Sequence, residues 1–253
     1  MHEGRDILRG LDASRHLPWE GCANVRDLGG IPTLDGRETR RRAVIRADGL
    51  DRLTNAGWAA LVEYGVRTVI DLRNEDELGS DATPRPVSVK TINLPLDGIE
   101  DREFWDVWKR GPQYGTPLYY APHLERFPNL SARVIAAIAE AEPGGVVVHC
   151  GEGRDRTGQI AMLLLALVGV APEQIVADYM LSHEFLRVRY LALGEEDQSV
   201  EIEAYLAGRD TSADEVVLGT LRSLDFVTLL LGGGLSAREM QVACTRLLPP
   251  CAT

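Results

Sequence analysis

The sequence predicts an α/β fold, a mostly parallel central sheet flanked by helices and followed by a helical C-terminal part. Three observations carry that prediction. Along residues 42–150, short β-branched segments ("RAVIR", "VRTVIDLR", "VKTINLPL", "VVVHC") are interleaved with helical patterns, the order expected of strand–helix–strand units. "VVVHC" is continuously apolar up to its histidine, as strands covered on both faces of a parallel sheet are. Beyond residue 170 every pattern is helical, from "APEQIVADYMLSHEFLRVRYLA" to "SAREMQVACTRLL".

Each element has its own signals. The turn-rich "LGGIPTLDGRETRR" leads into the first strand, "RAVIR". "LTNAGWAALVEYG" reads as a helix capped by Thr54 and stopped at Gly65. "VRTVIDLR" and "VKTINLPL" are the second and third strands. The helix "SARVIAAIAEA" and the turn "EPGG" then deliver the chain to "VVVHC". Residues 96–128 are the least regular stretch, yet they gather Phe104, Trp105, Trp108, Tyr114, Tyr119, Tyr120 and Phe127 in a chain that is only 6% aromatic. Two readings stand for this insertion: a satellite core of its own, or a lid or wall beside a functional pocket. The expected organisation is a single domain over residues 1–253, with an α/β core at about 20–170, the insertion at 96–128 and the helical part at 171–253.

Composition limits the function. With 253 residues, 45% hydrophobic and 26% charged, the chain can bury one large core. A net charge of −11 argues against general affinity for nucleic acid or anionic membranes, so any bound anion needs a local site. Cys22, Cys150, Cys244 and Cys251 form no CxxC and no metal-ligand pattern with the five histidines; no metal or cofactor is expected. Cys22, Cys244 and Cys251 read as small packing residues or a tail thiol. "MHEGRDILRGLDASRH" lacks a signal-peptide core, and "IAMLLLALVGV" is too short to span a bilayer. The cytoplasm is the expected compartment, secretion without a signal peptide being the alternative.

The chemistry is concentrated in "HCGEGRDRTG", His149 to Gly158, where a buried strand ends and a helix is about to begin. Ligands bind at that edge of open α/β sheets. A loop there can turn its N–H groups inward while the next helix points its positive end the same way, which makes an oxyanion cradle. Gly151, Gly153 and Gly158 give the backbone the freedom this needs, and Glu152, Arg154 and Asp155 complete the candidate phosphate-binding loop. The same field favours an ionised thiol, so Cys150 is a candidate nucleophile. Arg156, five residues past Gly151, closes the loop and can take two phosphate oxygens at once. Thr157 is expected to donate its hydroxyl to the Cys150 sulfur, and His149 to act as a buried support. Glu152 and Asp155 formally offset Arg154 and Arg156, which makes a strongly polyanionic headgroup a less attractive ligand.

The string His149-Cys150-x-x-Gly153-x-x-Arg156-Thr157-Gly158 resembles the signature of cysteine-dependent phosphatases of the protein tyrosine phosphatase superfamily. "NVRDLGGIPTLDG", "IRADGLDRLTNAGWAALVEYGVRTVIDLRNEDEL", "LPLDG" and "EQIVADYMLS" resemble, in order, segments of the bacterial tyrosine phosphatase family, whose members accept phosphotyrosine and in some cases phosphoserine or phosphoinositides. The resemblance covers most of residues 21–185, and it departs from the family at Arg154, where lysine is usual. It implies a phosphate-binding P-loop between strand and helix, a cysteinyl-phosphate intermediate, a phosphorylated protein or small phosphate ester as substrate, and inorganic phosphate as product.

Such a reaction needs an acid for the leaving oxygen. Asp97, Glu100, Asp101 and Asp106 follow the third strand. Asp97 is favoured because it directly follows "INLPL" and because it occupies the family's acid position in "LPLDG". Asp155 is the rival, either orienting the attacking water or anchoring Arg154. Asp71 and Arg73 read as braces at another strand end. Two other functions fit the same loop: a catalytically silent phosphate-binding module, and an arsenate-reductase-like thiol oxidoreductase using the remaining cysteines.

Overall fold

The computed structural model describes residues 14–111 and 113–248; Cys251 and most of the N-terminal segment read above lie outside them. Its centre is a five-stranded sheet of β1 (Arg26–Asp27), β2 (Val44–Ala47), β3 (Val66–Asp71), β4 (Lys90–Asn93) and β5 (Gly145–His149), ordered β1-β2-β5-β3-β4. Only β1 runs antiparallel, to β2; all other pairings are parallel. β5 is therefore central, and its last residue, His149, is in register with Ala47 on one side and Asp71 on the other. Every chain segment leaving the C-terminal ends of β2, β5, β3 and β4 emerges along one edge of the sheet.

Alternation along the strands fills two cores. Val44, Ile70, Val146 and Val148 enter one hydrophobic cluster, while Ile45, Val69 and Val147 enter the other. The second cluster is closed by helix α1 (Asn55–Glu63), which contributes Trp58 and Leu61. Thr54 caps α1 by accepting the Gly57 N–H, and Gly65, at φ +99°, follows its end. The first cluster is larger. It is covered by α4 (Pro128–Glu140) and α5 (Arg156–Leu167), and α5, "RTGQIAMLLLAL", is apolar almost all round because helices pack on several of its sides.

Two expectations change here. Residues 96–128 are not an irregular insertion: they hold α2 (Arg102–Trp108) and α3 (Tyr120–Arg126), with a 3₁₀ turn at Pro117–Tyr119. Seven-residue helices are too short to display a period, and α2 is started by Asp101, whose side chain accepts the Phe104 N–H. Nor is the aromatic group a separate satellite, since Phe104, Trp105, Tyr119 and Tyr120 belong to the larger cluster. The C-terminal region is helical: α6 (Pro172–Leu193), α7 (Gln198–Ala207), α8 (Ala213–Ser223), α9 (Phe226–Gly232) and α10 (Ala237–Leu247). It is built into the same core rather than appended, because Phe226, Leu230, Ala243 and Leu247 join that cluster and α10 packs along α4. Among the described residues no helix is long and apolar enough to cross a membrane.

Candidate active site

Cys150 is the first residue past β5, and the loop from it to Arg156 curls against the ends of β2 and β3. Four consecutive loop carbonyls are held from outside. Those of Gly151, Glu152 and Gly153 accept bonds from the Gly49 N–H (2.8 Å), Asn24 Nδ2 (2.9 Å) and Arg46 Nη2 (2.8 Å). The Cys150 carbonyl faces His149 Nδ1 at 3.2 Å. Among the described residues there is no cis peptide bond, so each carbonyl turned outward turns the next N–H inward. The N–H groups of residues 151–154 thus point away from those outer partners, the disposition an anion nest requires, just before the N-terminus of α5. Gly153 is required for the curl: it lies at φ +68°, and a Cβ there would come within 2.5 Å of the Ala47 carbonyl oxygen.

The loop lines a cleft of about 340 Å³ that brings together Cys150, Arg156, Asp97, Asp155, Arg154 and a residue the sequence did not single out, Glu77. The guanidinium of Arg156 is gripped end-on by Glu77, Nη1 bonding one carboxylate oxygen and Nη2 the other at 2.6 Å. Nη1 also reaches Asp97 Oδ2 at 3.2 Å. Burial opposes the charge on Arg156, but the bond to Glu77 and the charges of Cys150 and Asp97 outweigh it and raise its pKa. Glu77 itself is held by the Asn74 N–H and Nδ2 in a capping box on the 3₁₀ turn Glu75–Glu77.

Asp97 is buried, 4% exposed. Its Oδ2 accepts from both Asn74 Nδ2 (2.7 Å) and Arg156 Nη1 (3.2 Å), while its carbonyl accepts the Trp105 indole N–H (2.9 Å). Burial raises its pKa, and the Glu77 charge adds to that, against the lowering effects of Arg156 and Asn74. With both bonds on Oδ2, a proton on this carboxyl belongs on Oδ1. The other acids after β4 are placed elsewhere. Asp101 caps α2 and pairs with Arg126, Asp106 pairs with Arg110 on the surface, and Glu100 is exposed.

The remaining loop residues divide. Asp155 accepts the Tyr120 hydroxyl (3.2 Å) and Arg154 Nε (3.3 Å). Arg154 is 2% exposed, with Nη2 3.4 Å from Gln198 on α7 and no hydrogen-bond partner for Nη1. Glu152 requires a correction. Its carboxylate is turned to α6, where Arg189 (2.7 Å) and the Tyr190 hydroxyl (2.9 Å) hold it. Its charge is therefore matched by Arg189, as that of Arg156 is by Glu77, so a count confined to the loop leaves out both partners. Thr157 is corrected too: its buried hydroxyl has no hydrogen-bond partner, so the expected bond to the Cys150 sulfur is not made.

His149 is fully buried, and burial brings its pKa down to about 4. Its Nε2 stands 3.5 Å from Asp71, which is doubly bonded by Arg73; Arg73 in turn reaches Asp51 at 2.8 Å. His149 Nε2 makes no hydrogen bond there, so the linked chain Asp71–Arg73–Asp51 braces the end of β3. A second brace lies behind the loop. Asp178, on α6, receives Arg15 (2.9 Å) and Arg26 (3.1 Å) on Oδ1 and Arg46 (2.7 Å) on Oδ2, all four side chains being nearly inaccessible. Arg46 continues to the Gly153 carbonyl, and Arg26 continues through Asn24 to that of Glu152. The three guanidinium groups overcome burial and depress the Asp178 carboxyl far below the usual range. Arg26, the most buried of them, is itself lowered to about 9 by burial and by its neighbour Arg46.

Breaking a buried ion pair costs about 3–5 kcal/mol, so Asp178→Asn is expected to lose about that much stability in urea titration at neutral pH. A loss below about 1 kcal/mol would contradict the role given to this brace. Because the folded carboxyl is depressed, its contribution is complete above the unfolded-chain value of about 4 and fades as pH falls toward the folded one. The stability difference between wild type and Asp178→Asn should therefore shrink only in acid.

Tyr114 and Tyr119 line the cleft, and Trp105 backs Asp97. The aromatic stretch is thus both core and pocket wall. Cys22 and Cys244 form no disulfide; Cys22 contacts the Gly49 carbonyl (3.4 Å) and Cys244 faces α5 near its end. Neither lines the cleft of Cys150, and Cys251 lies outside the described residues. Among those residues no group of three or more His, Cys, Asp or Glu is arranged to hold a metal.

A family model described as the tyrosine phosphatase family matches residues 17–225. A tyrosine-protein phosphatase of Nostoc commune is 34% identical over 146 residues, covering 57% of this chain and 49% of its own length. The triple specificity protein phosphatase PtpB of Mycobacterium tuberculosis is 28% identical over 201 residues, covering 68% of this chain and 70% of its own. The chain spans from about half to about seven tenths of the length of the curated relatives it matches. Among solved structures, that of P. aeruginosa TpbA in complex with pTyr aligns at 19% identity and a TM-score of 0.36, covering 76% of this chain and 86% of that one, a likeness too low to bear on the site.

Proposed function

The chain belongs to the tyrosine phosphatase family, and from that premise we propose that it is a cysteine-dependent phosphomonoesterase acting on phosphotyrosine. The observation that carries the reading is the convergence of Cys150, Arg156 and a buried, upshifted Asp97 on one cleft, with the loop carbonyls of Gly151, Glu152 and Gly153 tied to partners outside the loop. Phosphate enters the nest of inward N–H groups. Arg156, gripped end-on by Glu77, keeps its Nε side for two phosphate oxygens and stabilises the charge that builds on them in the transition state.

Reaction proceeds in two displacements. The Cys150 thiolate forms an S–P bond as the P–O ester bond breaks, and Asp97 passes the proton on Oδ1 to the leaving oxygen. Asp97, now a carboxylate, takes a proton from water as the water oxygen bonds to phosphorus and the P–S bond breaks. Orthophosphate leaves, and the thiolate and the acid are restored. Asp155 positions Arg154 and Tyr120 rather than carrying a proton. The rings of Tyr114 and Tyr119 suit an aryl ester, and a working thiol of this kind suits a reducing compartment, the cytoplasm.

The test is hydrolysis of p-nitrophenyl phosphate by the full chain, with EDTA present. Turnover unaffected by EDTA supports the scheme; saturable phosphopeptide binding without phosphate release would favour a silent binding module instead, and thiol-dependent arsenate reduction without phosphatase turnover an oxidoreductase. Substrate class is read by offering Cys150→Ser matched phosphotyrosine, phosphoserine, phosphothreonine and phosphoinositide ligands. Tightest capture of phosphotyrosine is the expected result.

Glu77 is a positioning residue in this scheme. Glu77→Ala should lower kcat/KM by roughly tenfold, in keeping with the loss of a charge-assisted bond of about 1.5 kcal/mol, and Glu77→Gln should recover part of it. A purely structural role would move the unfolding midpoint of both variants without this graded rescue.

A further inference from the structure

Opposite the phosphatase cleft, at the edge where β2 and β5 begin, a second cleft of about 570 Å³ opens between the chain at residues 40–43, the turn at 143–144 and α10. Its walls are mainly apolar, from Ala43, Pro143 and Val242, and three arginines line it: Arg40, Arg42 and Arg246. No acidic side chain does. Elsewhere in this acidic protein, arginines brought together are met by carboxylates, as Arg26 and Arg46 are by Asp178 and Arg156 is by Glu77. Here none of the three forms an ion pair among the described residues. Arg246 is anchored on the main-chain carbonyls of Ala141 and Gly144, the latter at 2.8 Å, and Arg42 lies over the Tyr64 ring at 5.0 Å. Arg246 is thereby fixed in place by neutral partners, while Arg40 and Arg42 are exposed at the rim.

Holding like charges together in this way has a cost. Burial and the neighbouring Arg40 both lower the pKa of the Arg246 guanidinium, and the repulsion stays until a counter-charge arrives. Apolar walls beside one anchored guanidinium, Arg246, and two more at the rim suit a ligand with a carboxylate at one end and a hydrocarbon body at the other. The volume suits a small molecule rather than a polymer segment.

We propose that this cleft is a binding site for a small organic anion with an apolar body, of the alkyl-carboxylate class, separate from the phosphatase site. The test is calorimetric titration of the full chain with octanoate in saturating orthophosphate, which keeps the nest before Cys150 occupied. One saturable, submillimolar site is expected, with octanol and acetate each binding at least about tenfold more weakly. Arg40→Glu and Val242→Glu, both at surface positions, should weaken octanoate at least about tenfold and leave p-nitrophenyl phosphate hydrolysis unchanged. Absence of saturable binding, equal binding of octanol, or affinity indifferent to both substitutions would overturn the proposal. So would binding to phosphatidylglycerol vesicles without binding to octanoate. The readout does not depend on phosphatase turnover, so its failure leaves the reading of the Cys150 site standing, and the converse holds too.

Discussion

Cys150→Ser should reduce turnover of an aryl phosphate by on the order of 10⁴-fold or more, the scale seen when a covalent nucleophile is removed, while orthophosphate affinity stays within a few-fold. The asymmetry follows from how the nest is built. Its N–H groups are aimed by outside partners, Gly49, Asn24 and Arg46, acting on the loop carbonyls, and Arg156 is aimed by Glu77. None of these depends on the sulfur, so exchange of Sγ for Oγ removes the attacking atom and leaves the cradle. Rates with p-nitrophenyl phosphate and calorimetry with orthophosphate check the two halves separately. Equal loss of rate and phosphate affinity would mean that the thiol shapes the loop rather than reacting in it.

The second large effect is expected at Asp97. Asp97→Asn should lower kcat by about 10²–10⁴-fold, the usual contribution of a positioned general acid, for phenyl phosphate, whose leaving oxygen needs a proton. The loss should be much smaller for p-nitrophenyl phosphate, whose leaving group departs as an anion. The pH profile carries a second signature. Asp97 must start protonated, and burial moves its pKa upward. Wild-type activity should therefore fall as pH rises through that shifted value, and this basic limb should vanish in the asparagine variant. A variant that loses both substrates equally, with the limb intact, would assign the acid to another group.

The site was legible where its chemistry is local in the chain. Cys150 to Arg156 is one loop at one strand end, and its glycines and charges announce it. Asp97 was legible because β4 ends just before it. Glu77, Asn24, Arg46 and Asp178 were not, because they reach the loop only through strand order: β5 lies between β2 and β3, so residues far apart in sequence meet around Cys150. Their types gave no warning, since Glu77 is one of three adjacent acidic residues in "NEDEL" with nothing to set it apart. Glu152 was misjudged for the same reason. Its partner Arg189 lies 37 residues on, upon another helix, and a charge count within the loop cannot include it. Thr157 shows the converse, a plausible local contact that packing of α5 does not make.

The fold followed the same rule. Continuously apolar or β-branched segments and the capped helical patterns carried the signal, and β2 to β5, α1, α4, α6 and α10 lie where those segments were read. The short helices α2 and α3 carried none, and their order comes from capping and from aromatic packing against the core. The C-terminal helices were legible as helices but not as core, because the partner that buries Phe226, Leu230, Ala243 and Leu247 is the distant α4–α5 layer.

The covalent mechanism is tested most directly by rapid-quench turnover of a labelled aryl phosphate followed by peptide mapping. A phosphoryl group on the peptide containing Cys150, formed and lost at rates that match turnover and absent in Cys150→Ser, is the expected result. Turnover at the same rate with no adduct on that peptide, or with the label on another residue, would contradict it.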